Sequence, residues 1–105
     1  MKKKSTTSNP LPAIGMGATI VYHSDREPAT IIQITHGGNR IIVQADIATR
    51  TDKNGMSESQ TYEFTQDPNG SIFEATKRKD GSYRMKGGKT LISIGSRQKY
   101  YDFSF

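Results

Sequence analysis

The chain reads as all-β, a small antiparallel sheet curled into a barrel, and three observations predict this. Eleven of its 105 residues are isoleucine, and branching at Cβ suits a pleated sheet better than a helix. Apolar and polar residues alternate over short runs, the period-two pattern of a half-buried strand. Turn sequences punctuate those runs: HGGN at 36–39, NG at 54–55, DPNG at 67–70, DG at 80–81 and GG at 87–88.

Leu, Ile, Val and Phe together number 19, about 18% of the residues. That lies near the ~20% level below which a highly charged chain stays disordered. The net charge of +5 is moderate, so a lean folded domain is expected, one domain with a small core.

The elements follow in order. Residues 1–13 hold Lys2, Lys3 and Lys4, then polar residues with Pro10 and Pro12. So little apolar area cannot offset the entropy of ordering, and a flexible basic arm is expected before a single domain spanning 14–105. Ala18–Tyr22 reads as the first strand, and the polar HSDRE turns the chain. In the next strand, Pro28–Thr35, strict alternation places Thr30, Ile32 and Ile34 on one face and Ile31 on the other. His36-Gly37-Gly38-Asn39 supplies residues that tolerate positive φ, as a tight hairpin requires. Arg40–Asp46 returns with Ile41, Val43 and Ala45 facing one way.

Residues 48–60 lack apolar periodicity and read as a long loop or loose hairpin. Tyr62 and Phe64 alternate with Glu63 and Thr65. In Asp67-Pro68-Asn69-Gly70, proline sets φ at the second position and glycine ends the turn. Ser71–Lys79 leads out, Asp80-Gly81 reverses the chain, and Ser82–Lys86 returns until Gly87-Gly88 breaks the strand. Thr90–Ile94 is the last clear strand. Tyr101, Phe103 and Phe105 alternate behind it and would present one apolar face, most simply to close the barrel. Six or seven short strands joined by turns favour closure, which removes exposed edges. An SH3-like barrel is the expected form, with an OB-like barrel as the alternative.

Several chemistries fall away on residue type. The chain has no cysteine, hence no disulfide framework and no thiolate metal site. The longest apolar runs are a few residues, too short for a membrane helix. The basic opening has no hydrophobic stretch behind it, so no signal peptide is expected. GGKT at 87–90 lacks the glycine that a phosphate loop needs, because Tyr83 stands there, and a strand follows where that loop needs a helix. Arg50 occupies the first ligand position of the calcium-loop pattern ending in DKNG, which breaks it. His23 and His36 read as turn residues. His23-Ser24-Asp25 has the residue types of a hydrolytic triad, but sequence neighbours do not form that geometry. Nothing singles out a carboxylate pair for glycoside chemistry. No enzymatic activity and no cofactor are expected.

Charge is the informative feature. Lys77, Arg78, Lys79, Arg84, Lys86 and Lys89 face a single acid, Asp80, across residues 76–89, whereas residues 5–75 carry a net −4. On the returning strand Arg84 and Lys86 project from one face while Tyr83 and Met85 share the other. Clustered cations beside aromatic residues match a polyanion backbone with stacked bases. Tyr100, beside Arg97 and Lys99, is a candidate ligand-facing ring, and Arg50 and Lys53 would extend the surface from the long loop.

Two resemblances add expectations. GMGATIVYHSDREPATIIQITHGGNRIIVQAD, Gly15 to Asp46, resembles the opening of Tudor-type and other SH3-like domains: a glycine-led strand, a polar turn, a "PAT" strand, a tight turn and a third strand. Their aromatic cage for methylated cations does not carry over, because Tyr22 is the one aromatic in this stretch. Over more of its length, in ATRTDKNGMSESQTYEF, DPNG, RKDGSYRMKG and YYDFSF, the chain is similar to small uncharacterised bacteriophage and prophage proteins. That resemblance implies an accessory product acting in the bacterial cytoplasm. The combined expectation is a non-enzymatic binding module that docks its basic hairpin on nucleic acid or a bacterial host nucleoprotein, inhibiting a host defence in anti-CRISPR-like fashion or a replication complex. The alternatives are a protein-only inhibitor or adaptor working through its loops, Arg50–Gln60 among them, and a small virion or assembly component.

Overall fold

A computed structural model describes residues 11–57 and 59–100. The expected basic arm therefore lies almost wholly outside the described residues, as do Tyr101, Phe103 and Phe105. Among the described residues eight strands form: β1 Gly17–Val21, β2 Arg26–Thr35, β3 Arg40–Ala45, β4 Ile47–Arg50, β5 Tyr62–Thr65, β6 Ile72–Lys77, β7 Tyr83–Met85 and β8 Leu91–Ile94. Six of them close an antiparallel barrel in the order β1-β2-β3-β6-β7-β8. The ring closes where Ala18 to Val21 pair with Leu91 to Ile94.

The inward faces are those the alternation predicts, with one exception. Ala18 and Ile20, Ala29 and Ile31, Ile41 and Val43, Ala75, Tyr83, and Ile92 and Ile94 form the core, and Met16, Ile34, Phe73 and Met85 pack against it. The exception is in β2. Ile31 pairs with Val43 and Gln33 with Ile42, so Ile32 is an extra residue in a β-bulge. A bulge resets which parity points inward. Ile32 is exposed and Ile34 turns in beside Ile31, correcting the face shared by Thr30, Ile32 and Ile34. The adjacent pair Ile31-Ile32 is thereby split between core and surface.

The segment between β3 and β6 is the loose hairpin. β4 and β5 make a separate two-stranded sheet, Ile47↔Thr65 through Arg50↔Tyr62. At its base Gly70 sits where a Cβ would lie 2.1 Å from the Ala45 carbonyl oxygen. Gly70 N–H donates to the Asp67 carbonyl at 2.9 Å, completing the DPNG turn. The β2–β3 connection is a short 3₁₀ turn, His36–Gly38. There φ is positive at His36, Gly37 and Gly38.

The last described residues run back over the outside of β1 and β2. Thr19 and Thr30 point away from the core yet are buried, at 1% and 3% exposure, because this segment covers them. Thr19 Oγ1 donates to the Ser96 carbonyl at 2.9 Å, and Tyr100 bridges to Arg26. No helix among the described residues is long and apolar enough to cross a membrane.

Candidate polyanion interface

Antiparallel pairing puts the β2–β3 turn and the β6–β7 turn at the same end of the barrel. Lys77 N–H donates to the Asn39 carbonyl at 2.8 Å, and the buried Tyr83 hydroxyl donates to the Gly38 carbonyl. The outward residues of β3 and β6 continue downward from these turns, Arg40 beside Thr76 and Ile42 beside Glu74. Between the turns and this wall lies an open cleft of about 570 Å³. His36, Asn39 and Arg40 contribute from the β2–β3 side, Glu74, Thr76, Lys77, Arg78 and Lys79 from the β6–β7 side, and Lys86 from just past the end of β7. Among the described residues five cations thus meet one carboxylate.

That carboxylate is shared. Glu74 Oε2 lies 2.6 Å from Arg40 Nε and 3.5 Å from Lys86 Nζ. The Arg40 N–H is not aligned for a hydrogen bond, and Nε is buried without one. Asp80, the one acid of the hairpin, is turned into its own loop. It accepts the Ser82 hydroxyl at 2.6 Å and the Ser82 N–H at 2.9 Å. Those bonds, with the field of Arg84, hold its carboxyl below the usual range and keep it ionised.

The two hairpin arginines have backbone partners. Arg78 Nη2 donates to the carbonyls of Gly88, at 2.9 Å, and Met85, at 3.2 Å. Arg84 Nη1 donates to the Lys89 carbonyl at 2.8 Å. Together they clasp the Gly87-Gly88 turn, a role that sequence gives no sign of. No described acceptor takes the Nζ of Lys77, Lys79 or Lys89. That turn leads directly into β8, so GGKT opens a strand.

The structure therefore sorts the residues that sequence grouped by charge. Lys77, Arg78, Lys79 and Lys86 line the cleft, while Arg84 on β7 and Lys89 flank the adjoining Gly87-Gly88 turn. Arg97, Lys99 and Tyr100 lie on the outer face of β1 and β2. Arg97 Nε donates to Asp46 Oδ2 at 2.8 Å and its Nη2 to Thr30 Oγ1 at 2.8 Å, while Thr30 donates to Asp46 Oδ1 at 2.7 Å. The Asp46 side chain is 1% exposed. A Cβ on Gly17 would meet the Arg97 side chain at 2.8–2.9 Å, so the absence of a side chain there lets the arginine lie flat. Lys99 Nζ is 2.5 Å from Glu27 Oε2. These two cations brace the C-terminal crossing and stand apart from the cleft.

Arg50 and Lys53 are on the β4–β5 hairpin. Asp52 receives Arg50 Nε at 2.9 Å, the Thr61 N–H at 2.7 Å and the Asn54 N–H at 2.9 Å. The Arg50 bond first, then the backbone donors, hold the Asp52 carboxyl well below the ordinary range, and Asp52 in turn raises Arg50. Among the described residues no cluster of His, Asp and Glu suits a metal ion.

Sequence inspection missed His36, Asn39, Arg40, Thr76 and Glu74. The signal available was topological: pairing the strand after HGGN with the strand before DG sets Arg40 opposite Thr76. No protein-family model matches this chain, and neither a curated protein nor a solved structure with significant similarity to it is found.

Proposed function

We propose that the protein is a binding module that holds a polyanion, nucleic acid or a nucleoprotein, in the cleft between the two turns. The observation that carries this reading is the convergence of Arg40, Lys77, Arg78, Lys79 and Lys86 on one cleft whose described lining contains a single carboxylate. Such a field concentrates an anionic partner and speeds its encounter. Asn39 and Thr76 add neutral groups able to bond phosphate oxygens.

The test uses lysines that have no part in the arginine clasp. If about five cations meet phosphates, affinity falls about 500-fold between roughly 50 and 200 mM salt, a slope near −4.5. Replacing Lys77, Lys79 and Lys86 with Gln should flatten that slope to about −2. Lys53→Gln, on the remote hairpin, should leave it unchanged. A triple variant that binds like the wild type would remove the cleft from consideration.

A second reading, protein docking through the β4–β5 hairpin, is favoured by one observation. Its tip is exposed yet ordered by its own side chains: Asn54 Nδ2 donates to Ser59, Gln60 Nε2 to Ser57 and Tyr62 Oη to Gln60. Met56 projects from it at 75% exposure. An ordered loop loses less entropy when a partner closes on it. Under that reading, capture of a protein partner survives the triple lysine change and is lost on Met56→Asp.

A further inference from the structure

Resting on the polyanion reading, we infer that the cleft grips the sugar–phosphate backbone of double-stranded nucleic acid without reading its sequence. Two independent features lead there. The first is the position of the rings. Non-specific single-strand sites stack bases on aromatic side chains, a contribution of about 1–3 kcal/mol per base. Among the described residues, no Phe or Tyr lines this cleft. Phe73 and Tyr83 lie beneath it in the core, and Tyr100 sits beside Arg26, at the opposite end of the ten-residue β2. Among the described residues His36 is the one ring at the rim. Without stacking, a single strand must be ordered by charge alone. A duplex arrives already ordered, with one charge per ~1.7 Å of axis.

The second feature is how the cations are used. Base-edge recognition relies on the arginine fork, bidentate to guanine. Here Arg78 gives its Nη2 to two backbone carbonyls and Arg84 its Nη1 to one, which tethers both to the Gly87-Gly88 turn, and Arg40 faces Glu74. In and beside the cleft, the cations with no acceptor among the described residues are Lys77, Lys79 and Lys89, flexible point charges that meet a phosphate from many directions but do not distinguish base pairs. A lysine surface without rings is a backbone surface.

The experiment measures anisotropy of the full chain with a labelled duplex of about 20 bp, a second duplex of unrelated sequence, one component single strand, and that strand with abasic sites, all at about 50 mM salt. The two duplexes should bind within about twofold of each other, and both about tenfold tighter than the single strand. Removing bases from the single strand should change its affinity less than about twofold, because no ring holds them. A single strand that binds as tightly as the duplex, and loses about tenfold on base removal, overturns the inference while leaving polyanion binding standing. A tenfold preference between duplex sequences overturns it equally. Binding to none of the probes sinks the inference and the polyanion reading together.

Discussion

Replacing Arg97 separates a brace from a binding residue, since its charge and its place beside Lys99 and Tyr100 would suit either. In Arg97→Met the methionine keeps an unbranched apolar stem over Gly17, and the Asp46 carboxylate loses its cationic partner. That carboxylate is 1% exposed, and its remaining side-chain donor would be the Thr30 hydroxyl at 2.7 Å. Breaking a buried pair by removing one partner costs roughly 3–5 kcal/mol. Arg97 is itself 28% exposed, so water can partly replace it, and about 2–3 kcal/mol is expected. In a domain of this size that lowers Tm by about 10–20 °C. Adding Asp46→Asn removes the stranded charge, and the double variant should regain about 1 kcal/mol relative to Arg97→Met, a coupling that a double-mutant cycle in urea reads directly. Polyanion affinity should stay at the wild-type value throughout. A loss below about 0.5 kcal/mol would mean that the ion pair contributes nothing net, as exposed pairs often do. Intact stability with a tenfold drop in affinity would return Arg97 to the binding surface.

Other consequences are as direct. Gly70→Ala should cost more than about 3 kcal/mol, because a Cβ placed 2.1 Å from the Ala45 oxygen forces backbone apart; urea denaturation measures it. Gly87→Ala, at φ +77° in open space, should cost only about 1 kcal/mol, the strain of the left-handed conformation. At the hairpin, the folded Asp52 carboxyl titrates below its unfolded value of about 3.9. Its contribution is therefore complete above about pH 4 and fades as pH falls toward the folded pKa. Amide shifts of Thr61 and Asn54 should hold steady on acidification to about pH 4 and move only below it. In Asp52→Asn they should be displaced already at neutral pH, and unchanged shifts in that variant would show that the carboxylate does not order the tip.

The fold was legible in the residues because its cause is local. Period-two alternation and a glycine at a positive-φ turn act within a few residues, so strands such as Arg40–Ala45 and turns such as Asp67–Gly70 declare themselves. The bulge at Ile32 is the instructive failure. Nothing in Ile31-Ile32-Gln33 announces an extra residue, which exists only relative to the register of β3.

The cationic hairpin at 77–89 was equally plain, since charge is a property of residue type and turn sequences mark where the chain reverses. Which cations stay available was decided by the closed barrel, because a cation is engaged by whatever carboxylate or carbonyl the fold sets against it. Asp46 meets Arg97 across 51 residues and Glu27 meets Lys99 across 72, separations over which no pattern in the chain survives. The same closure brought Arg40 and His36 to the hairpin's side and kept Arg97, Lys99 and Tyr100 from it. Composition supplied the charge, and only the pairing of distant strands determined where an anion would meet it.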